Sequence, residues 1–348
     1  MSEALAVRYR PQKFEDVVSQ KSIVDILSRQ IELKEFSNTY IFYGSSGCGK
    51  TTCARIFANE INNHKGQPIE IDAASNNGVE NVKQIVKSAS ERSLDSEYKI
   101  YIIDEAHSLT NQAWQAFLKC IEEPPRYTIF IFCTTEKNKI PETIKNRCMV
   151  FNFNKIPSIQ IFNRLIYISK NEGFINYEEA CDYISRISNG CMREAISLLE
   201  KVASYNTDIN ITNVMNVLGS YSYEIYFKLV NEIIDGNIKE LIETIEQINN
   251  DGNDLKLFID QFLEFTLDVT KYIICKTIAV TKIPNNYEDK VKNSINFKDA
   301  DKYYSYLNSK LLDLKNKFIP VSTSHTQSGS NTGGAPIKDD GEISDDGE

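Results

Sequence analysis

Short apolar runs alternate with amphipathic segments through the first half of the chain. Five runs are rich in apolar and β-branched residues, and they lie at 40–44, 69–73, 99–104, 129–135 and 148–153. The segments 50–62, 79–90 and 112–122 between them have helical spacing. Runs without polar alternation are typical of strands that are covered on both faces. We therefore predict an α/β domain around a parallel five-stranded sheet with right-handed crossovers.

The second half shows no convincing strand. Helical patterns cover 158–170, 177–187, 192–204, 222–235, 237–250, 254–280 and 298–317. We predict four regions, which are an α/β domain at 1–155, a small helical domain at 156–205, a larger all-α domain at 206–318 and a disordered acidic tail at 319–348. The tail consists mainly of Ser, Thr, Gly and Asp, and it cannot bury enough apolar surface to offset the entropy of ordering.

The net charge gives a mixed signal about nucleic acid. The 348 residues carry a formal charge of −9, whereas proteins that bind duplexes usually have a basic excess. After Pro320 the tail holds six acidic residues and one lysine, so more than half of the net charge belongs to it. The charge therefore excludes a protein with a basic coat, but it does not exclude one that holds DNA in an inner channel.

Targeting signals and metal motifs are absent from the sequence. The first residues include charges and no apolar core of a signal peptide, and no run of about 18 apolar residues exists, so we expect a cytoplasmic protein that does not span a membrane. The eight cysteines form no CxxC pair and no Cys/His cluster. We expect them to be reduced thiols, and we expect no zinc.

The strongest motif is a glycine-rich loop at 44–51, which reads GSSGCGKT and fits G-x-x-x-x-G-K-[ST]. It follows a predicted strand and opens a predicted helix, as a phosphate-binding loop must. Its backbone N–H groups and the helix N-terminus attract phosphate oxygens. We expect Lys50 to reach the β- and γ-phosphates of ATP and the Thr51 hydroxyl to hold Mg²⁺.

Acidic and hydroxyl side chains follow two further strands. Asp104 is expected to hold Mg²⁺ through water, and Glu105 to orient and polarise the attacking water. The letters DEAH also occur in a group of helicases, but no other motif of that group is present, and we interpret His107 as a structural or sensing residue and not as a ligand. Thr135 ends the fourth strand, where ligands of parallel sheets bind, and is expected beside the γ-phosphate.

These motifs resemble those of the clamp-loader branch of the AAA+ ATPases, and more narrowly those of the gamma/tau-type subunits of bacterial DNA polymerase III. The other matching segments lie at 8–11 (RYRP), 14–20 (FEDVVSQ), 69–79, 117–125 (FLKCIEEPP), 140–141, 146–148 (NRC) and 190–195 (GCMREA). They follow one another in the family's order over about 4–204. The region 206–318 agrees with the family in length and helical type only.

The resemblance implies a role for each matching residue. The implied nucleotide contacts are Val7, Tyr9, Arg10, Pro11, Val18, Ser46, Gly47, Cys48, Gly49, Lys50, Thr51, Thr52 and Arg193. Tyr9, Pro11 and Val18 would lie near the adenine. Thr135 and Arg193 would be sensors of the γ-phosphate, and Arg147 would enter the ATP site of the neighbouring subunit, where it would stabilise transition-state charge.

The resemblance also implies partners. The helices at 206–318 would form the collar of a hetero-pentameric spiral, which could contain several copies of this chain. This spiral would open a sliding clamp when ATP binds. The spiral would then grip primer–template DNA, which would trigger hydrolysis and release. The matching DNA positions are Asn76, Gly78, Lys83 and Lys119. Two of these are not basic, so contacts from backbone N–H groups are expected as well.

The chain departs from the family's pattern at three places. The stretch 62–68 replaces the family's four-cysteine zinc module, the usual Ser-Arg-Cys reads Asn146-Arg147-Cys148, and the chain stops soon after the collar helices. Asn146 keeps a short polar side chain, so the role of Arg147 is expected to survive. The compact format suggests a divergent version, such as one encoded by a phage or plasmid.

Two other functions compete with an ATP-driven motor. A non-hydrolysing scaffold subunit of the same loader is disfavoured, because Lys50, Asp104 and Glu105 are all present. A hexameric AAA+ ATPase of recombination or fork remodelling, such as a Holliday-junction branch migrator, carries a winged-helix domain. The region 206–318 shows no strand pair that could form a wing.

Overall fold

A parallel sheet forms the centre of the first half of the protein, as the computed structural model shows for the residues that it describes, 3–218, 223–250, 255–284 and 287–317. The strands are β1 (Thr39–Gly44), β2 (Ile69–Asp72), β3 (Lys99–Asp104), β4 (Thr128–Thr134) and β5 (Met149–Phe153). All pairs are parallel, and the strand order is β2-β3-β4-β1-β5. The predicted α/β fold is confirmed, and each strand bound agrees with its prediction to within one residue.

Fifteen α-helices occur among the described residues. They are α1 (Leu5–Arg8), α2 (Lys21–Leu33), α3 (Lys50–Ile61), α4 (Val79–Ala89), α5 (Asn111–Glu122), α6 (Glu142–Lys145), α7 (Ser158–Glu172), α8 (Glu178–Ile187), α9 (Met192–Tyr205), α10 (Ile211–Leu218), α11 (Tyr223–Asp235), α12 (Ile238–Asn250), α13 (Leu255–Cys275), α14 (Glu288–Ser294) and α15 (Ala300–Lys317). The single helix predicted over 254–280 is wrong at its C-terminal end. There α13 stops at Cys275, because Lys276 adopts a left-handed backbone with φ of 54°.

Both faces of the sheet are covered by helices. Strand β4 is buried along its whole length, and its side chains alternate between two apolar clusters. Ile131 and Cys133 face the cluster that contains the helix α3 residue Phe57. Phe130 and Phe132 face α5, where the Trp114 ring lies 5.2 Å from that of Phe132. This two-sided burial explains the continuous apolar runs and leaves only the ends of the strands for polar chemistry.

The helices after β5 share one continuous apolar cluster. It includes Leu165 of α7, Leu199 of α9, Val230 of α11 and Tyr304 of α15, and it also takes in Leu5 from α1. The described residues after 155 contain no strand, only an isolated bridge between Ile175 and Asp208. The domain bounds at 155 and 205 stay predictions, and the tail predicted at 319–348 lies outside the described residues.

None of the helices in the described ranges has the length and the apolar character needed to cross a bilayer.

Candidate nucleotide-binding site

A cleft opens at the carboxyl end of β1, between the glycine-rich loop, the N-terminal segment and the helices α7 and α9. All predicted nucleotide contacts except Val7 line this cleft, together with Asp104 and Glu105. Val7 is instead 42% exposed and lies outside the lining. Sequence reasoning missed six lining residues, which are Ala6, Val17, Ile156, Arg164, Met192 and Ile196.

The glycine-rich loop wraps around the amino group of Lys50. The Lys50 side chain is nearly buried, and its Nζ donates to the carbonyl oxygens of Gly44 and Ser45, each at 2.9 Å. Gly49 caps α3 in a left-handed conformation with φ of 104°, which a residue with a Cβ rarely adopts. No atom lies within 4 Å of the position that a Cβ would take, so the loop is open at this point. An anion can therefore approach the helix N-terminus.

The hydroxyl of Thr51 and the carboxylate of Asp104 meet at the end of β3. Thr51 Oγ1 donates to Asp104 Oδ2 at 2.9 Å, and the Glu105 N–H donates to Asp104 Oδ1 at 3.0 Å. Among the described residues no group of three or more His, Cys, Asp or Glu side chains forms a metal cage. One hydroxyl and one carboxylate suit Mg²⁺, which takes few protein ligands and fills its other positions with water and substrate phosphates. The residues present therefore fit the predicted ion.

Three buried thiols lie in the apolar cluster next to the glycine-rich loop. Cys48, Cys53 and Cys133 are each at most 1% exposed, and no disulfide is formed. Burial raises the pKa of Cys53 to about 12 and also raises the pKa values of the other two. The thiols are therefore protonated at neutral pH, and they pack as small apolar groups instead of acting as nucleophiles.

Helix α9 touches the glycine-rich loop directly. The Met192 N–H donates to the Gly47 carbonyl at 3.1 Å. A Cβ on Gly47 would lie 2.2 Å from Cys191 Sγ and 3.3 Å from the backbone nitrogen of Arg193. The Arg193 side chain is exposed, lines the cleft and forms no ion pair with any described residue. Its guanidinium is thus available to an anion in the cleft.

The N-terminal segment is attached to the same helical region. Tyr9 donates its hydroxyl proton to Glu172 on α7, and partial burial together with this bond raises the pKa of Tyr9 to about 12. Arg164 donates to the Tyr9 carbonyl at 2.8 Å, and the Leu5 N–H donates to Glu200 on α9 at 3.0 Å. The N-terminal segment, whose residues Tyr9 and Pro11 are predicted to lie near the adenine, is therefore attached to α7 and α9.

Gln20 joins the glycine-rich loop to the end of the sheet. Its amide nitrogen donates to the carbonyls of Asn154, at 2.7 Å, and Cys48, at 3.3 Å, while its oxygen accepts from the Asn154 N–H at 3.2 Å. The side chain is 7% exposed. Gln20 ends the matching segment 14–20, but the sequence does not indicate this role, because both partners are backbone groups distant along the chain.

Thr135 lies beyond the end of β4 and outside the residues that line the cleft. It is half-buried, and its hydroxyl forms no hydrogen bond within the described part of the chain. The preceding Thr134 is completely buried, and its Oγ1 lies 3.2 Å from His107 Nδ1 and accepts from the Glu136 N–H. The sensor role of Thr135 stays a prediction.

Arg147 lies at the opposite end of β1 from the glycine-rich loop. The Thr39 hydroxyl, at the start of β1, donates to the Arg147 carbonyl at 2.9 Å, and six residues of a strand span about 16 Å. The guanidinium donates to the Thr143 carbonyl at 2.7 Å and pairs with Glu122 at 2.8 Å. Asn146 takes no part in these contacts. Arg147 therefore cannot reach the cleft of its own chain.

The four positions predicted to face DNA lie on α4, on the loop before it and on α5. Asn76 donates through its backbone and its side-chain amide to the Asp72 carbonyl, and Gly78 caps α4. Lys83 pairs with Glu80 at 2.7 Å on the exposed surface, whereas Lys119 is exposed and forms no ion pair with a described residue. The Thr110 N–H donates to the Asn77 carbonyl at 3.3 Å, so the N-termini of α4 and α5 are adjacent.

Replacing Gly47 by alanine is expected to weaken binding of a fluorescent ATP analogue by about tenfold or more. The new Cβ would collide with Cys191 and push away the start of α9, which carries Arg193. Gly173→Ala is the matched control, because Gly173 has a similar φ of 73° but no atom within 4 Å of the added Cβ. Both variants bear the left-handed strain of about 1–2 kcal/mol. Equal affinities for the two variants would contradict a working contact between α9 and the loop.

Comparisons with known proteins agree with the geometry. A family model described as DNA polymerase III, delta subunit, matches residues 64–157, and one described as DNA polymerase III subunits gamma and tau domain III matches residues 209–298. The second match covers the helical region for which the sequence motifs gave no specific signal.

Three curated relatives illustrate the similarity. The DNA polymerase III subunit gamma of Buchnera aphidicola subsp. Schizaphis graminum is 32% identical over 76% of this chain and 78% of its own length. The subunit tau of Bacillus subtilis is 36% identical over 78% of this chain and 52% of its own length. The gamma/tau subunit of Mycoplasma genitalium is 32% identical over 88% of this chain and 54% of its own length. The chain thus spans about half the length of these last two relatives.

Solved structures of Thermotoga maritima RuvB, described as a Holliday junction branch migration motor, have a similar fold. They match with a TM-score of 0.51 and 19% identity over 65% of this chain and 79% of theirs. At this identity the similarity concerns the fold alone.

Proposed function

The chain belongs to the gamma/tau family of DNA polymerase III subunits, and on that premise we propose that it is an ATP-hydrolysing motor subunit of a sliding-clamp loader. The observation that carries the proposal is the complete set of phosphate, metal and water-orienting groups in one cleft. Lys50, the Thr51–Asp104 pair and Glu105 all line it. A scaffold subunit that does not hydrolyse ATP has no need of such a set.

Each group has a distinct task in phosphoryl transfer, where catalysis consists mostly of positioning and charge stabilisation. Lys50 would exchange its two carbonyl contacts for oxygens of the β- and γ-phosphates. Thr51 and Asp104 would hold Mg²⁺, which neutralises charge that develops on the phosphates. Glu105 would orient the attacking water, and Thr135, which follows the last residue of β4, would act as a sensor of the γ-phosphate.

The contact between α9 and the glycine-rich loop couples the nucleotide to the helical region. Arg193 directly follows Met192, whose N–H donates to the Gly47 carbonyl. A γ-phosphate that attracts the Arg193 guanidinium would therefore fix the orientation of α9. The N-terminal segment, which would face the adenine, is attached to α7 and α9 through Glu172 and Glu200. We propose that ATP binding in this way sets the angle between the α/β domain and the helices after it, as the opening of a clamp requires.

Arg147 would act on the ATP site of a neighbouring subunit. It is about a strand length away from its own cleft, and among the described residues its guanidinium is held by Glu122 and the Thr143 carbonyl alone. The exposed ion pair with Glu122 is worth about 1 kcal/mol or less, so the guanidinium is easily transferred to a phosphate. Hydrolysis would then depend on assembly with other loader subunits.

DNA would be held by the N-terminal part of α4, by the loop before it and by Lys119 in the last turn of α5. Gly78 would offer its backbone N–H group and Asn76 the second N–H of its side-chain amide, while Lys83 and Lys119 would offer charge, to the phosphates of primer–template DNA. The Lys83–Glu80 pair is exposed on both sides and therefore costs little to break. A few such contacts on the inner side of a ring are compatible with the acidic net charge.

A homohexameric branch-migration motor is the alternative assembly, although the similarity to RuvB concerns the fold alone. The match of residues 209–298 to gamma and tau domain III favours the loader. So does the absence of any strand among the described residues after 205, because a wing needs a strand pair.

Native mass spectrometry of the chain mixed with its cognate loader subunits and clamp separates the two assemblies. We expect a hetero-pentamer that contains one or more copies of this chain and that binds the clamp when ATP is added. The chain incubated alone is the control. A homohexamer that excludes the other subunits would overturn the proposed function.

A further inference from the structure

His107 lies between two carboxylates next to the cleft. Its Nδ1 lies 3.3 Å from Glu105 Oε2, and its Nε2 lies 3.5 Å from Glu136 Oε1. The His107 side chain is only 16% exposed, whereas those of Glu105 and Glu136 are 44% and 47% exposed. The ring is thus the most buried of the three side chains, and it lies close to both carboxylates.

The ring is anchored to the end of β4 through Thr134. Thr134 is completely buried, and its Oγ1 lies 3.2 Å from His107 Nδ1 and 3.0 Å from the Glu136 nitrogen that donates to it. Glu136 is itself held by Lys139 at 2.8 Å, and that contact lowers the pKa of Glu136. His107 therefore joins the acidic turn after β3 to the hydroxyl-bearing end of β4.

Glu105 needs such a restraint. Its backbone is left-handed, with φ of 48° and ψ of 41°, which is uncommon for a residue with a Cβ and is found at functional sites. Its Oε2 is buried and accepts no hydrogen bond from a described residue, and His107 Nδ1 is close enough to donate after a small rotation. A carboxylate that orients an attacking water must be held to a fraction of an ångström.

We propose that His107 is a positioning residue that fixes the Glu105 carboxylate for ATP hydrolysis and links its position to the end of β4. This role rests on the proposed ATPase function. The Nδ1–H group would be shared between Glu105 Oε2 and Thr134 Oγ1, which lie 3.3 Å and 3.2 Å from it, so that Thr134 fixes the ring beside the carboxylate. Glu136 and Lys139 balance the charge on the outer side of the ring.

The first test separates turnover from binding. His107→Ala is expected to lower kcat for ATP hydrolysis in the assembled loader by about tenfold or more, the scale of losing a residue that orients a catalytic group, with KM for ATP within about twofold. His107→Asn keeps an N–H donor near the Nδ1 position and is expected to recover part of the lost kcat. His64→Ala is the matched control, since His64 makes the same 3.3 Å contact with Glu60 but is 61% exposed and lies outside the cleft.

The second test does not depend on turnover. The chain has only three histidines, His64, His107 and His325, so ring-labelled histidine gives three NMR signals that single substitutions can assign. In the free protein, Glu105→Gln is expected to shift the signal of His107 and to leave that of His64 in place. Glu60→Gln is expected to do the reverse.

The outcomes distinguish failure of the positioning role of His107 from failure of the proposed function. If the wild-type assembly hydrolyses ATP and His107→Ala keeps its kcat, or raises KM alone, the positioning role is overturned and the proposed function stands. An unshifted His107 signal in Glu105→Gln also overturns the role. If the wild-type assembly does not hydrolyse ATP at all, the proposed function fails, and the role in hydrolysis fails with it. Where His107→Ala lowers the melting temperature, the comparison of His107→Asn with wild type decides.

Discussion

Lys50→Ala is expected to reduce ATP hydrolysis to background and to weaken nucleotide binding by about 10- to 100-fold. Lys50 is 7% exposed and its amino group is surrounded by the glycine-rich loop, so its charge acts on phosphates in a poorly screened environment. A hydrogen bond to a charged group is worth about 1.5–3 kcal/mol, which corresponds to that loss of affinity. The measurement is a titration with a fluorescent ATP analogue, followed by steady-state hydrolysis with the other loader subunits.

Lys65→Ala is the control for this variant. Lys65 is exposed, lies in the turn before β2 and forms no ion pair with a described residue. We expect both its affinity and its hydrolysis rate to equal those of wild type. An unchanged hydrolysis rate in Lys50→Ala, with a melting temperature like that of the control, would show that the cleft is not the site of turnover.

Arg147→Ala is expected to lower DNA-stimulated hydrolysis in the mixed assembly by on the order of 10²- to 10³-fold, the scale of losing one charge-stabilising donor. Affinity for ATP at the chain's own cleft is expected to stay unchanged, because Arg147 lies at the far end of β1. The split between these two readouts identifies an arginine that acts on another subunit's site. Equilibrium binding to the isolated chain and hydrolysis by the assembly measure the two quantities separately.

Two variants accompany Arg147→Ala. Arg147→Lys keeps the charge but loses the planar fork that matches phosphate oxygens, so it should recover only part of the rate. Arg92→Ala removes an exposed arginine that lies over the Tyr127 ring, 4.2 Å from its centroid, and it should leave the rate unchanged. A DNA-stimulated rate equal to that of wild type in Arg147→Ala would contradict the trans-acting role.

The sheet and the phosphate site could be predicted because their signals are local. A strand buried on both faces needs a continuous apolar run, so β3 was predicted at 99–104 and occurs at Lys99–Asp104. The glycine-rich loop needs φ values that favour glycine, and Gly47 and Gly49 adopt them. Sequence and structure agree at these positions because the local conformation restricts the choice of residue.

Contacts between distant segments could not be predicted in this way. Gln20 and Arg164 act through backbone carbonyls that are more than a hundred residues away, and a single Gln or Arg in a sequence gives no sign of that. Helix α2 starts after Gln20 without any side-chain cap, so its start signal is missing. The end of α13 at Cys275 lacks a Gly or Pro, and the left-handed Lys276 that follows is not a residue type that marks the end of a helix.

The geometry divides the predicted catalytic set into two groups. Lys50, Asp104, Glu105 and Arg193 line one cleft of the chain, whereas Thr135 and Arg147 lie outside its lining. In the proposed function, Arg147 acts on the nucleotide of another subunit. The chain alone would then be an incomplete ATPase, and its neighbours would complete turnover.

The most direct test is ATP hydrolysis measured with the purified chain alone, with the other loader subunits, and with those subunits plus clamp and primer–template DNA. We expect slow hydrolysis by the chain alone and a large increase only when subunits, clamp and DNA are all present, accompanied by transfer of labelled clamp onto the DNA. Hydrolysis by the chain alone at the full rate, without any response to clamp and primer–template DNA, would contradict this expectation.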